Sequence, residues 1–540
     1  LFPYTTLFRS AMAVLTGCGG DKKETAAAPA EANTTAAVTE AAKIEAETTA
    51  AVQTEAGGEK NLVMPSASCV ANLNPLLEGY KEAAMLNPIY DPLYVIDVNE
   101  TRYYLADSYE VSEDGMQITV KLKEGLKWHD GEAITADDMI FTMDVCSDTN
   151  NGAGGTNIVI LNDQPVKYEK VDDLTVKVTL PMASASYADL LGGLTLIPEH
   201  VFEGNPSVVS AGEANMKGIG SGPYKVTEFK QDEYLLLEKY EDYYMGVPSI
   251  DKVTFRIISD LSAQEVALMN GEVNFMELAN APAVAKYEAD PNFTVVKYPE
   301  GRVNYLAVNK FCETVQDPKV VEAVFAALNR DEIIAGAYGD GMAESANSIF
   351  SNVNTFYDSS VEGYTQDVEK AKQLVKETGL DSKTLTLYFN SERVYMKESA
   401  QIIQQQLKNV GINLEVIPLE SAGFFEKVFG TDGDYEFYLN GYGAVGDPDQ
   451  VVAGMYDGTW GVNLAVSDEV SQLWKDARTV YTPEERAAIY KQIQIQTRDE
   501  LTCYPIAYPN YVFVTTSNIK GADTIKRTPV FEDYTKLTME

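Results

Sequence analysis

The chain has 540 residues, with 81 acidic against 42 basic side chains and a formal net charge of −39. That balance argues against nucleic acid as a partner and against electrostatic docking on anionic lipid, whose phosphates would repel it. Only two histidines are present, His129 and His200, so a multi-histidine metal site or a histidine-based triad has no basis, and no run approaches the roughly 20 apolar residues of a membrane-crossing helix.

In chain order, residues 1–10 (LFPYTTLFRS) read as the in-frame translation of a sequencing-adapter oligonucleotide. Residues 11–18 end in Leu15-Thr16-Gly17-Cys18, the pattern of a lipoprotein signal in which Cys18 becomes the lipidated residue. The apolar run Ala11 to Leu15 is shorter than the roughly 7–15 residues of a complete signal core, so a truncated signal is expected. A two-chain lipid anchor there would hold a protein on a membrane where one chain is marginal. Residues 19–60 are mostly Ala, Thr and Glu, with eight acids and four bases. Too few apolar groups are present to offset ordering entropy, so this tract is expected to be a disordered tether with a reach of about 35 Å.

The body from residue 61 is too long for one core and predicts two or three lobes. Its cysteines, Cys69, Cys146, Cys312 and Cys503, contain no CxxC pair and predict buried free thiols, with disulfides as the alternative. After the turn Ser112-Glu113-Asp114-Gly115, Ile118, Val120 and Leu122 alternate with Gln117, Thr119, Lys121 and Lys123, the period of a half-buried strand. The turn Trp128-His129-Asp130-Gly131 follows, and Thr135 precedes Ala136-Asp137-Asp138 as a helix N-cap with acids in the first turn. His200 follows Ile197-Pro198-Glu199 in a loop entering a helix. Gly220-Ser221-Gly222-Pro223-Tyr224-Lys225 marks a tight turn ahead of a strand over Tyr234 to Leu237. Tyr243-Tyr244 and Ile250-Asp251-Lys252-Val253 lead to a strand over Val253 to Ile258, and Ala267 to Val273 reads ALMNGEV. Tyr305 to Asn309 forms a further strand, and Asp317-Pro318 opens a helix ending near Asn329-Arg330-Asp331. Ala371 to Gly379 and Ala400 to Gly411 predict amphipathic helices, the second leading into a strand over Leu414 to Ile417.

The order turn, strand, WHDG, helix, together with the GSGPYK and ALMNGEV segments, resembles the extracytoplasmic solute-binding proteins of peptide/nickel-type ABC transporters (family 5). The resemblance covers some 400 residues. It implies an α/β, type II periplasmic-binding-protein-like fold, with two lobes joined by a hinge plus an extra inserted lobe. Lobe I would comprise 61–95, 205–304 and 505–540, lobe II 96–204 and lobe III 305–504, with strands near Tyr305–Asn309 and Tyr504–Tyr508 as the hinge. It also implies a monomeric carrier without cofactor or metal, anchored by lipid to the outer face of a bacterial membrane. The carrier would deliver a peptide or other small solute to permease subunits with cytoplasmic ATPases. The chain has no P-loop of its own.

In peptide-binding members of that family a D-x-x-D-P-D-like segment supplies, at its first position, an aspartate that pairs with the peptide's α-amine. The matching run here is Gly441 to Asp449, and its first position is Ala444. Alanine cannot accept a hydrogen bond from an ammonium group, and such a bond contributes about 1.5–3 kcal/mol, or about ten- to a hundredfold in affinity. Either Asp447, Asp449 or Tyr442 takes over that role, or the ligand has no free amine; the competing reading makes Asp447-Pro448 a turn that shapes the pocket wall. The family pattern also points to Tyr80, after Asn74-Pro75, and to Arg393, with Lys397 as its competitor, for a ligand carboxylate. A surface salt bridge is the other role open to either. Trp460 and Asn463, in a Gly-rich loop, resemble an aromatic pocket edge able to stack on many ligands, unless Trp460 belongs to the core. The functional expectation is oligopeptide or dipeptide capture for an ABC importer. The alternatives are the same fold binding an oligosaccharide, opine or metal chelate, which Ala444 favours, or a surface peptide receptor or adhesin.

Overall fold

The computed structural model describes residues 59–540 apart from 79–81, 97–99, 444–445, 457–463, 465 and 525–532. Cys18 and the tract around it, Tyr80, Ala444, Trp460 and Asn463 therefore lie outside the described residues.

Three main sheets organise the chain. In the first, Asn61–Ser66 lies parallel to Lys252–Ile257, followed by Tyr234–Lys239 and Tyr224–Lys230 in antiparallel order. The second is antiparallel and is built from Ala106–Val111, Gln117–Leu122, Thr175–Thr179 and Lys167–Asp172. The expected alternation holds there: Ile118, Val120 and Leu122 turn inward to the core shared with Val176 and Val178, while Gln117 and Lys121 face out. Helix Ala136–Ser147 starts where Thr135 predicts, because Thr135 Oγ1 accepts from the Asp137 amide (3.3 Å) and Asp138 accepts from the Thr135 amide (2.9 Å).

The WHDG turn joins these two sheets. Trp128 is fully buried, and the His129 amide donates to the Gly220 carbonyl at 3.0 Å. The ring closes the contact, with the Gly220 amide 3.2 Å from Nδ1 and Nε2 2.9 Å from the Gly222 carbonyl. Gly220 and Gly222 do more than permit a turn. A Cβ on Gly220 would stand 1.9 Å from the Ile89 carbonyl oxygen and one on Gly222 2.7 Å from that of Pro88, so close backbone approach requires both glycines. They lead first into an additional strand, Tyr224–Lys230, and the expected strand follows it as Tyr234–Lys239.

The third sheet runs Phe275–Glu277, Cys503–Thr516, Arg302–Val308, Phe437–Gly443, Thr384–Asn390, Asn413–Leu419, and Phe293–Pro299 and Ala343–Ser345 also pair with Cys503–Thr516. Instead of a short strand over Tyr504–Tyr508, the chain forms 14 continuous residues. Cys503 to Ala507 pair with Arg302–Val308, and Asn510 to Thr516 pair with Phe293–Pro299. The change of partner falls at Tyr508–Asn510, opposite Glu300-Gly301, where Gly301 adopts φ 70°. The helix opened by Asp317-Pro318 runs Pro318–Ala327 and ends just before Asn329, as expected, and a second helix, Arg330–Ala337, follows because the Asn329 side chain accepts from the Glu332 amide and starts a new turn. Helices Val368–Thr378 and Val394–Asn409 pack beneath the sheet, the second starting six residues before Ala400. All four body cysteines are free thiols; Cys146, Cys312 and Cys503 are buried and Cys69 is partly exposed.

Two buried groups near the WHDG junction titrate in opposite senses. Burial holds the His129 ring down to about 4, so its neutral form is favoured on folding. Burial pushes the Asp91 carboxyl up to about 7, against hydrogen bonds from the Tyr244 and Tyr243 hydroxyls at 2.7 and 3.0 Å. The His129 contribution is present above the unfolded pKa of about 6.5 and is lost as pH falls towards 4. That of Asp91 is present below about 4 and is lost as pH rises through 7. The two slopes nearly cancel between pH 4 and 6.5. A His129→Gln variant should therefore lose stability with rising pH in that window by about one proton more than the unmodified protein. Melting temperatures taken across it check this, and parallel curves for the two proteins would contradict it.

Candidate functional site

The segment 441–449 leaves the third sheet at the end of Phe437–Gly443 and turns into a short helix, Pro448–Val451. Gly441 is required there, since a Cβ would lie 2.1 Å from Asn304 Oδ1 on the neighbouring strand. Tyr442 points to the other face of the sheet. Its ring lies 5.2 Å from that of Tyr305, and its hydroxyl is 2.6 Å from the Ile349 carbonyl and 3.1 Å from the Tyr456 hydroxyl.

Asp447 caps the short helix, its Oδ1 accepting from the Asp449 amide at 3.1 Å. Its carboxylate is also held by Arg486 through both terminal nitrogens, and the Tyr490 hydroxyl lies 2.9 Å from Arg486 Nη2. This pair is buried, with 6% and 9% of the two side chains exposed. The Arg486 guanidinium stacks 4.9 Å from the Phe356 ring and 5.2 Å from that of Tyr490. Asp449 is paired with Arg478 and accepts from Ser186 Oγ at 2.8 Å. Burial pushes the Asp449 carboxyl up and Arg478 opposes the rise. Both carboxylates of the DPD run are thus taken up by arginines of the helices Asp468–Thr479 and Pro483–Asp499.

Arg393 stands exposed immediately before helix Val394–Asn409, and Lys397 is exposed one turn along it. Arg393 and Arg302 both lie near enough to Glu300 to oppose the rise that burial imposes on its carboxyl. Arg302 is anchored to the Gly441 carbonyl (2.8 Å) and to Asn304 Oδ1 (3.1 Å), and Asn304 donates to the Tyr338 hydroxyl at 2.8 Å. The Tyr338 and Tyr395 rings stack beside it, 5.3 Å apart. The structure links Tyr442 to Asp447 through the buried Tyr456, Trp474 and Tyr490 rings, sets Asp449 two residues further along the same turn, and places Arg393 at the start of another element of the same sheet system. Sequence reasoning missed Arg302, Arg478, Arg486 and Ser186. The one available signal was Arg486 and Tyr490, four apart on one helix face, facing a buried acidic turn.

No group of three or more potential metal ligands occurs among the described residues. No helix among them is long and apolar enough to cross a membrane. His200 pairs with Asp130 at 2.8 Å, and His129 is spent on backbone contacts.

Comparison with known proteins agrees with this architecture. The profile of "Bacterial extracellular solute-binding proteins, family 5 Middle" matches residues 100–463. The dipeptide-binding protein of Escherichia coli K12 is 27% identical over 499 residues, covering 86% of this chain and 92% of the relative. Among solved structures, the ABC transporter substrate-binding protein CtaP of Listeria monocytogenes superposes with a TM-score of 0.83 at 33% identity, over 89% of this chain and 99% of that one. The oligopeptide-binding protein AppA of Bacillus subtilis, solved with a nonapeptide, gives 0.69 at 26% identity over 89% and 99%.

Proposed function

Because the chain belongs to family 5 of the bacterial extracellular solute-binding proteins, which bind for transport and catalyse nothing, we propose that it captures oligopeptides or dipeptides between lobes and delivers them to an ABC permease. The fold is that of type II periplasmic binding proteins, and family members work outside the cytoplasm. Cys18 would anchor the chain by lipid to the outer face of the membrane. The observation that carries the peptide reading is the near-complete overlap with a dipeptide-binding relative, 92% of whose length is matched.

Within that reading Asp447 and Asp449 shape the wall, since each already neutralises an arginine. Arg393 is the group for a ligand carboxylate, and the family pattern assigns Trp460, Asn463 and Tyr80 to further ligand contact. Ala444 leaves the usual amine acceptor absent, which favours peptide binding that does not depend on a free N-terminus. The same observation supports the second reading, a non-peptide solute such as an oligosaccharide, opine or metal chelate.

Thermal shift against di- to hexapeptides, the same peptides N-acetylated, oligosaccharides and metal chelates separates the two. A ligand at a hundred times its Kd adds about 2.7 kcal/mol. Equal stabilisation by free and acetylated peptides is the expected outcome. Stabilisation by sugars or chelates alone would overturn the peptide reading.

A further inference from the structure

Among the described residues the polypeptide passes between the part holding the first two sheets and the part holding Arg302–Val308 and its neighbours twice, at Glu300-Gly301 and at Tyr508–Asn510. Beyond those crossings, the insertion sheet and its short helix Tyr187–Gly192 touch the Asp447 segment and the helices that support it. Ser186 Oγ donates to Asp449 Oδ2 at 2.8 Å, and the Asp447 amide donates to Asp189 Oδ2 at 3.0 Å. The Ala185 amide donates to the Arg478 carbonyl at 3.0 Å. The turn at Gly115 packs so tightly on Tyr481 that a Cβ there would stand 2.0 Å from the ring.

These contacts divide in a way that fits a closing mechanism. The charges of Asp447 and Asp449 are neutralised inside their own part, by Arg486 and Arg478. What each offers across the gap is neutral or already compensated: an amide from Asp447 and the second oxygen of a paired carboxylate from Asp449. Separating the parts would therefore strand neither Asp447 nor Asp449 as an unpaired charge, and the half-buried Asp189 would exchange its amide donor for water. It would return the Ser186 hydroxyl, the Asp447 and Ala185 amides, the Arg478 carbonyl and one carboxylate oxygen each of Asp449 and Asp189 to water, where each finds a replacement partner at modest net cost. An interface held by a charge pair would strand both ions on opening. This one is built to open.

We propose that Ser186 and Asp189 form a closing latch with the Asp447–Asp449 turn, one that sets the equilibrium between open and closed forms before any ligand binds. They are positioning residues. The latch lies on the turn that the proposed ligand site uses as its wall, so ligand and latch favour the same closed state and reinforce each other.

The test needs no ligand, so its outcome is independent of whether the solute is a peptide. Nitroxide labels on cysteines replacing the exposed Lys167 and Glu484, in the full chain with Cys69→Ser, report the separation of the two parts by pulsed electron resonance. The Ser186→Ala, Asp189→Ala pair, which removes both the donor to Asp449 and the acceptor for the Asp447 amide, should raise the ratio of long to short separations about tenfold, the size expected for two lost hydrogen bonds. Lys491→Ala breaks a contact to Asp358 inside one part and should leave the distances unchanged, which separates opening from general loosening. Unchanged distances in the Ser186/Asp189 variant, with its melting temperature unchanged, would overturn the latch. So would the same widening in Lys491→Ala.

Discussion

Replacing Arg486 with alanine should lower the unfolding free energy by about 3–5 kcal/mol, because it leaves the Asp447 carboxylate buried without its counter-charge. Only 6% of Arg486 and 9% of Asp447 are exposed, so water cannot replace the lost partner in the folded state. The guanidinium also donates to the Ala477 carbonyl at 3.0 Å, tying two helices together, and covers the Phe356 ring. Arg486→Ala therefore removes packing as well as charge. Adding Asp447→Ala to it should restore part of the stability, since no ion is then stranded. Urea denaturation of the single and double variants reads both effects. A loss below about 1 kcal/mol for Arg486→Ala would mean that Asp447 is not held as described.

The second large effect is expected at Trp474, which is fully buried. Its ring meets Phe350 and Tyr490 edge-on at 5.9 and 5.6 Å and lies nearly parallel to Tyr456 at 6.0 Å. Trp474→Ala should cost about 3–5 kcal/mol through lost burial and the cavity left behind. Trp474→Phe should cost far less, since the indole Nε1 is buried with no hydrogen-bond partner among the described residues and its removal strands nothing. The functional consequence runs through Tyr456, whose hydroxyl meets that of Tyr442. Loosening Trp474 frees Tyr456 and with it the wall beside the proposed site, so Trp474→Ala should also weaken ligand binding. Equal destabilisation by Ala and Phe, measured by the same denaturation, would contradict the packing account.

Much of the fold was legible because local signals agreed with tertiary demands. The alternation at Ile118, Val120 and Leu122 matches one buried face, and Thr135 caps the helix it precedes. Extents were less legible. Pro509, which cannot donate to a ladder, sits where pairing passes from one neighbour to the other, but the partner on each side is decided by the Glu300-Gly301 turn on a different strand. The glycines of GSGPY were readable as a turn. The close approach to Pro88 and Ile89 that needs them comes from a distant segment of the chain, invisible to local pattern. For the site, the DPD run was found, but its charge partners were not. Arg478 and Arg486 sit 29 and 39 residues beyond the carboxylates they pair with, and the i, i+4 spacing of Arg486 and Tyr490 marks a polar helix face without saying which carboxylate it meets.

The measurement that bears most directly on the central claim is the identity of the solute that stays bound to the full chain when it is purified from a bacterial cell. The protein, purified without added ligand and then denatured, would release its bound molecules for mass spectrometry. Short peptides, recovered in molar ratio to the protein and lost when Arg393 and the Ser186/Asp189 pair are replaced, are the predicted result. Sugars or metal chelates in that ratio, with no peptide present, would contradict it.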